Sequence, residues 1–184
     1  MVRSAKISDA LVAIDLIDLA LENISSVLTG EENKEKAKSV LREFFVSKQN
    51  LYSFENVFVY EINGLVVGAM CVYDSNLRDK LLEPIISRLK MINKNHKIDK
   101  ECFENEYYID TIAVNEKFRK RGIATKMFEH AFLEAKKLDI KKCSLVVDIL
   151  KPKTKSFYES LGFYQNCVVD IAGGRYFHML KDIK

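Results

Sequence analysis

The sequence predicts an α/β (α+β) fold, a mixed and mostly antiparallel central sheet of about seven strands flanked by helices. Three observations predict it. Asn63-Gly64 lies between two apolar runs, 57–62 and 65–73, and supplies the two positive-φ residues of a tight primed turn, so these runs pair as a hairpin. Between residues 107 and 147 a strand-like run, a helical run and a second strand-like run follow one another. Gly173-Gly174 separates two final β-like runs, which are predicted to close the sheet as a second hairpin.

Taken in order, residues 2–7 read as a short first strand, and Ser8 or Asp9 can cap one long helix on which Leu11, Ile14, Leu21 and Ile24 recur at near-helical spacing until Gly30 ends it. A second helix, about 31–48, sets Ala37, Val40, Leu41, Phe44 and Phe45 against a charged, solvated side. After the hairpin, 76–92 is helical in pattern and 93–105 is polar and irregular, so 74–106 forms an excursion between strands. Residues 107–114 are β-branched and aromatic, 122–138 carry apolar residues at 123, 127, 128, 131, 132, 135 and 138, and 142–147 are strand-like again. Pro152 suits the first turn of a helix ending near Leu161-Gly162, and strands at 163–171 and 175–180 complete the chain. Internal repeats and low-complexity tracts are absent.

Composition narrows the function classes. The 184 residues are 48% hydrophobic and 30% charged, with 29 basic against 26 acidic side chains, a net charge of +3 and a mean hydropathy of −0.10. These values predict a single domain over 1–184 and argue against disorder and against a chain coated in positive charge for nucleic acid. The sequence has no run of the ~18 apolar residues that a membrane span needs. Lys6, Asp9 and Asp15 interrupt the start of the chain, so no membrane partner is expected and the predicted location is cytoplasmic. Cys71, Cys102, Cys143 and Cys167 lie 31, 41 and 24 residues apart, which predicts reduced, mostly buried thiols and no metal site.

Between the strand 107–114 and the helix 122–138 lies Lys117-Phe118-Arg119-Lys120-Arg121-Gly122-Ile123-Ala124-Thr125-Lys126, with five positive charges and no acid. The first N–H groups of a helix have no intrahelical partner and sit at the positive end of its dipole, so a phosphate there accepts several backbone hydrogen bonds. Gly122 and Ala124 keep side-chain bulk away from that backbone. The plainer alternative is a solvent-facing basic turn, and the loop alone does not decide between them.

Its context does. The loop follows Tyr107-Tyr108-Ile109-Asp110-Thr111-Ile112-Ala113-Val114 and precedes Phe157-Tyr158-Glu159-Ser160-Leu161-Gly162-Phe163. In these segments the chain resembles the GNAT superfamily of acyl-CoA-dependent N-acyltransferases. Arg119-x-x-Gly122-x-Ala124 matches that family's Gln/Arg-x-x-Gly-x-Gly/Ala pyrophosphate loop, and the second segment matches its second CoA-side helix. The likeness covers about 107–163, is topological over 1–73, and does not extend to 74–106.

The resemblance implies a GNAT-like sheet with splayed central strands and acetyl-CoA as co-substrate. It implies that Ile112, Ala113 and Val114, beyond a bulge, face the pantetheine arm, and that the backbone of Arg119, Lys120, Arg121, Gly122, Ile123, Ala124 and Thr125 takes the pyrophosphate. The Val114 N–H would steady the oxyanion. Tyr158 would contact the coenzyme and protonate the departing thiolate, the alternative being simple packing against Phe157 and Phe163. A tyrosine near ~10 facing a thiol near ~8.5 makes that transfer uphill unless the site lowers the tyrosine or desolvates the thiolate. Lys151 stands where the family commonly has a helix-capping Asn that touches the pantetheine arm, and Thr154 where it has Ala. Lysine cannot accept a capping bond, which leaves Asp148 as a substitute cap. Lys151, Lys153 and Lys155 are either 3′-phosphate ligands or a solvated face.

An alkylammonium has no lone pair at pH 7, so the reaction needs a base. Asp110, an acid inside an apolar strand, is the first candidate, with a buried structural carboxylate as the alternative; Asp148 is the second candidate. His178 reads as a packed core histidine. Glu101, Glu104, Glu106 and Asp110 place four acids and no base in 101–110, directly before the basic loop, which predicts that 74–106 shapes a pocket for a cationic acceptor. The leading reading is therefore an N-acetyltransferase acting by direct attack on a small-molecule or peptide amine. The alternative is a non-catalytic acyl-CoA-binding or sensing domain. Cysteine-mediated transfer lacks a Cys beside a His in these motifs, and a nucleic-acid module lacks a basic stripe interleaved with aromatics. The closing strands are free to pair across a homodimer.

Overall fold

The computed structural model describes residues 1–94 and 97–184; positions 95 and 96 of the predicted irregular stretch lie outside the described residues. Seven strands form one sheet in the order β1-β2-β3-β4-β5-β7-β6. They are β1 (Val2–Ser4), β2 (Val57–Ile62), β3 (Leu65–Asp74), β4 (Tyr107–Val114), β5 (Lys142–Asp148), β6 (Tyr164–Ile171) and β7 (Gly174–Asp182). All neighbours run antiparallel except β4 and β5. The β2–β3 turn has φ of 48° at Asn63 and 80° at Gly64, as a primed turn requires. The closing turn falls one residue earlier than predicted, at Ala172 and Gly173 with φ of 48° and 81°, and Gly174 opens β7. β7 lies beside β5, which leaves β6 at the edge.

Among the described residues six α-helices cover the two faces: α1 (Ala10–Leu21), α2 (Ile24–Thr29), α3 (Lys34–Val46), α4 (Arg78–Met91), α5 (Ile123–Lys137) and α6 (Pro152–Ser160). The first four bury Ile14, Ile17, Leu41, Phe45 and Ile85 on one face, while α5 packs Met127, Phe128 and Ala131 on the other. β3 is covered on both sides, so its run from Val66 to Tyr73 is continuously buried and does not alternate. Among the described residues no helix is long and apolar enough to cross a membrane.

The single long helix predicted from 9 to 30 is two. Glu22 turns to φ 52° and ends α1, and α2 restarts with the Ser25 and Ser26 hydroxyls donating to the carbonyls of Glu22 and Asn23. Asp9 does not cap α1; its carboxylate accepts from the Lys6 N–H at 2.7 Å and pairs with Arg3. α3 starts later than predicted because the Asn33 side chain accepts from the Lys36 N–H and fixes the start there.

Two irregularities in β4 open the sheet. Cys71 pairs with Thr111 and Val72 with Ile109, so Asp110 is an extra residue that bulges out of the ladder. β4 pairs with β5 only at Tyr107–Cys143 and Tyr108–Ser144. Beyond that point β4 follows β3 and β5 follows β7, and a wedge widens between them.

Candidate active site

The basic loop meets the wedge at the start of α5. Gly122 is its N-cap residue at φ 72°, so no side chain caps the helix. The first intrahelical bond runs from the Lys126 N–H to the Gly122 carbonyl, which leaves the amides of Ile123, Ala124 and Thr125 without an intrahelical acceptor. A Cβ on Gly122 would meet only open space. These amides face a cleft of about 270 Å³ lined by Val114, Arg119, Lys120, Gly122, Ala124, Thr125 and Phe157 among others. Arg119 donates through Nε to the Val114 carbonyl at 3.0 Å and ties loop to strand, while the Arg121 guanidinium lies over the Phe118 ring. The open donors and neighbouring cations therefore fit a diphosphate.

The strand above the loop offers its backbone unevenly. The Asn115 N–H donates to the Val67 carbonyl, which makes Gly68 and Val114 a non-hydrogen-bonded pair. By alternation the polar backbone groups of Ile112 and Val114 point away from β3 into the wedge. Those of Ala113 are engaged with Ala69, so Ala113 flanks the opening without offering a donor to it.

A second cleft of about 230 Å³ continues the wedge; Ile109, Asp110, Thr111 and Ile112 line one side and Leu145, Val146, Val147 and Asp148 the other, with Glu22, Glu101, Lys151 and Tyr158 on its rim and floor. Asp110 Oδ1 accepts from the Tyr52 hydroxyl at 3.1 Å and Oδ2 from the Tyr73 hydroxyl at 3.4 Å. Burial, reinforced by the negative charge of Glu101, pushes the Asp110 carboxyl up to about 7, although both tyrosines pull the other way. Glu101 accepts from the Tyr108 hydroxyl at 2.7 Å, and burial raises it as well.

Tyr158 lines the same cleft from α6 and stacks edge-on against Phe128, 5.6 Å between ring centroids. Packing and cleft exposure are therefore both true of it. Burial pushes its hydroxyl up to about 12, so the site does not lower this tyrosine. Burial acts the same way on a thiol elsewhere in the molecule, moving Cys143 up to about 12 although Lys181 pulls the other way. A sulfur buried beside Tyr158 would gain proton affinity by the same cause, which offsets the mismatch.

Other predicted residues separate from the cleft. Glu104 is exposed on a different surface, near Asn76 and Lys142. Glu106 is buried and accepts from the Ser144 hydroxyl at 2.7 Å and the Phe103 N–H at 3.0 Å, with His178 Nε2 at 3.2 Å. The predicted four-acid pocket wall is thus reduced to Glu101 and Asp110, because Glu106, just before β4, is drawn into the core by Ser144, the Phe103 N–H and His178. His178 is fully buried against Phe103, as predicted. Asp148 Oδ1 accepts from the Leu150 N–H at 2.8 Å and does not cap α6, whose start at Lys151 has no side-chain cap. Lys151 reaches across the cleft mouth to Glu22, Nζ to Oε1 2.7 Å; Lys155 pairs with Glu159 and covers Phe177. Sequence reasoning gave Tyr52, Tyr73 and Glu22 no role. The only signal for them is tertiary, since Tyr52 and Asp110 are 58 residues apart. Among the described residues no group of three His, Cys, Asp or Glu side chains is placed to hold a metal ion.

A family model described as the acetyltransferase (GNAT) family matches residues 20–163. Among solved structures, a protein described as an acetyltransferase is 27% identical with a TM-score of 0.82 over 100% of both chains. An N-acetyltransferase from Staphylococcus aureus Mu50 is 22% identical with a TM-score of 0.85 over 98% of this chain and 99% of that one. A PaiA N-acetyltransferase from Thermoplasma acidophilum in complex with coenzyme A is 18% identical with a TM-score of 0.57, covering 99% and 98%. The last two likenesses speak to the fold alone. No curated protein gives a significant match.

Proposed function

The chain belongs to the acetyltransferase (GNAT) family, and from that premise we propose that it moves an acetyl group from acetyl-CoA to a primary amine by direct attack. The observation that supports this most directly is the β4–β5 wedge, beside which one cleft carries the uncapped start of α5 and a second, lined by the next residues of β4 and α6, carries the Tyr158 ring and the Asp110 carboxylate. Bound there, acetyl-CoA supplies a thioester whose carbonyl carbon accepts the amine's lone pair.

The amides of Ile123, Ala124 and Thr125 hold the diphosphate, with Lys120 and Arg121 adding charge. Ile112 and Val114 present backbone groups to the pantetheine arm, and the Val114 N–H donates to the carbonyl oxygen as negative charge builds on it. Asp110 is the base that takes the acceptor's ammonium proton. Its raised pKa suits this task, because a carboxylate near 7 is unprotonated in part at neutral pH and holds a proton better than an exposed aspartate. Tyr158 gives a proton to the departing sulfur. A C–N bond forms and a C–S bond breaks. Of the three ammonium protons one stays on the amide, one replaces the tyrosine's and one leaves through Asp110 to solvent.

The test is thiol release from acetyl-CoA against an amine panel. Asp110→Asn is expected to lower kcat by about 10²-fold or more, and Tyr158→Phe by about 10-fold or more, with coenzyme affinity retained. Coenzyme binding with no thiol release from any amine, and no effect of Tyr158→Phe, would instead identify an acyl-CoA-binding domain.

A further inference from the structure

The acceptor half of the cleft carries an imbalance that one ammonium does not settle. Its charged lining consists of Glu22, Glu101, Asp110 and Asp148 against Lys151, and Lys151 is already engaged by Glu22 at the mouth. Deeper in, Glu101 and Asp110 receive, among the described residues, only neutral donors, the hydroxyls of Tyr108, Tyr52 and Tyr73. Among the described residues no Lys or Arg forms an ion pair with either. Arg78, whose positive charge acts on both from outside any ion pair, is tied through its guanidinium to the Asp99 carbonyl at 2.7 Å and to Asp79 at 3.3 Å. The negative charge of Glu101 thus raises the proton affinity of Asp110 in one cleft, and among the described residues neither carboxylate has an ion-pair partner.

A second observation is independent of charge. Thr111 lines this cleft beside Asp110, is only 6% exposed, and its Oγ1 has no hydrogen-bond partner among the described residues. A buried hydroxyl without a partner is costly, and a polar ligand in the adjoining cleft would satisfy it.

Resting on the acetyltransferase reading, we propose that the acceptor is an amine bearing a second positive charge, held at Glu101 while its reacting nitrogen lies at Asp110. The second cation supplies the missing counter-charge, and the Thr111 hydroxyl accepts from one of its N–H groups. An acceptor with a carboxylate near its amine, such as a free α-amino acid, would meet Glu101 and Asp110 with like charge and be rejected.

Three four-carbon acceptors test this on the intact protein with acetyl-CoA: 1,4-diaminobutane, butylamine and 4-aminobutanoate. The expected order of kcat/KM follows that sequence, with the diamine about 10-fold or more above the monoamine. Glu101→Gln is expected to reduce the diamine-to-monoamine ratio to about 3-fold or less, and Thr111→Val to weaken diamine binding several-fold. Calorimetric titration of the same three amines into the coenzyme-loaded protein gives a readout apart from turnover. Equal kcat/KM for diamine and monoamine, or preference for the aminocarboxylate, overturns the proposal while leaving acetyl transfer intact. Diamine-selective binding without thiol release from any amine overturns the catalytic reading, and with it the acceptor role, and leaves only a dication-binding cleft at Glu101 and Asp110. Absence of both binding and turnover overturns both.

Discussion

The Tyr52 hydroxyl donates to Asp110 Oδ1 at 3.1 Å, opposing the burial that pushes this carboxyl up to about 7. Tyr52→Phe removes a bond to the charged form, so the Asp110 pKa rises further. A base acts only when unprotonated, so activity falls as pH drops through its pKa. The acid limb of kcat/KM is therefore expected at higher pH in Tyr52→Phe than in the wild type, with little change at the alkaline end. Stability reads the same group with a different sign. Between an ordinary aspartate near 3.8 and about 7 the folded protein holds a proton that the unfolded chain has lost. Stability from this group is thus lost as pH rises through that window, and Asp110→Asn removes the slope in urea titrations at several pH values.

Gly122 and Gly64 separate a local backbone effect from a binding one. Both have positive φ, 72° and 80°, and a Cβ on either meets nothing within 4 Å. Alanine at each is expected to cost a similar amount of stability, about 1–2 kcal/mol, from the left-handed conformation alone. Only Gly122 adjoins the open amides of α5, as the residue that precedes Ile123. Gly122→Ala should weaken coenzyme binding about 10-fold or more by calorimetry, and Gly64→Ala should leave it unchanged.

What the sequence made legible follows from how local each signal is. Asn63-Gly64 encodes its turn in two adjacent residues, and the loop before α5 carries its own glycine and cations, so both were readable without a fold. Asp110 was readable because an acid in an apolar strand is conspicuous. The break at Glu22 was not, since Leu21-Glu22-Asn23-Ile24 contains neither Gly nor Pro, and the left-handed turn there shows only in the folded chain. The split roles of Glu101 and Glu106 were also hidden. Both sit in one acidic stretch, yet Tyr108 holds the first at the cleft, and Ser144 and His178 hold the second in the core. Tyr52 entered the site only through a contact 58 residues long.

Glu106 is accordingly expected to matter to folding rather than to acceptor binding. Burial would raise its carboxyl, but hydrogen bonds from His178, the Phe103 N–H and Ser144 outweigh that and hold it below the ordinary 4.5. Glu106→Ala strands these donors in the core and should cost about 3 kcal/mol or more in denaturant unfolding at neutral pH. A depressed carboxylate stabilises above the unfolded pKa and loses that contribution as pH falls through the folded one. The stability gap between wild type and Glu106→Gln should therefore shrink below about pH 4.5, near the unfolded pKa. Glu104→Lys, on the exposed surface away from the cleft, should leave the acceptor KM unaltered.

Lys151 begins α6 at φ −110° with no side-chain cap and instead reaches Glu22 across the cleft mouth. Asparagine can accept a bond from an open amide of the first turn, a gain of about 0.5–2 kcal/mol. The ion pair it replaces joins side chains 44% and 61% exposed, a class worth about 0–1 kcal/mol. The cap outweighs the pair, so Lys151→Asn should raise Tm. The same change removes, among the described residues, the one cationic side chain lining the cleft of Asp110 and frees Glu22, which makes that cleft more negative. A cationic acceptor should then bind more tightly at low salt, with the advantage fading as ionic strength rises. A higher Tm with unchanged acceptor KM would confine Lys151 to the helix start; a lower Tm would mean that the bridge to Glu22 holds α1 and α6 together more firmly than an exposed ion pair ordinarily does.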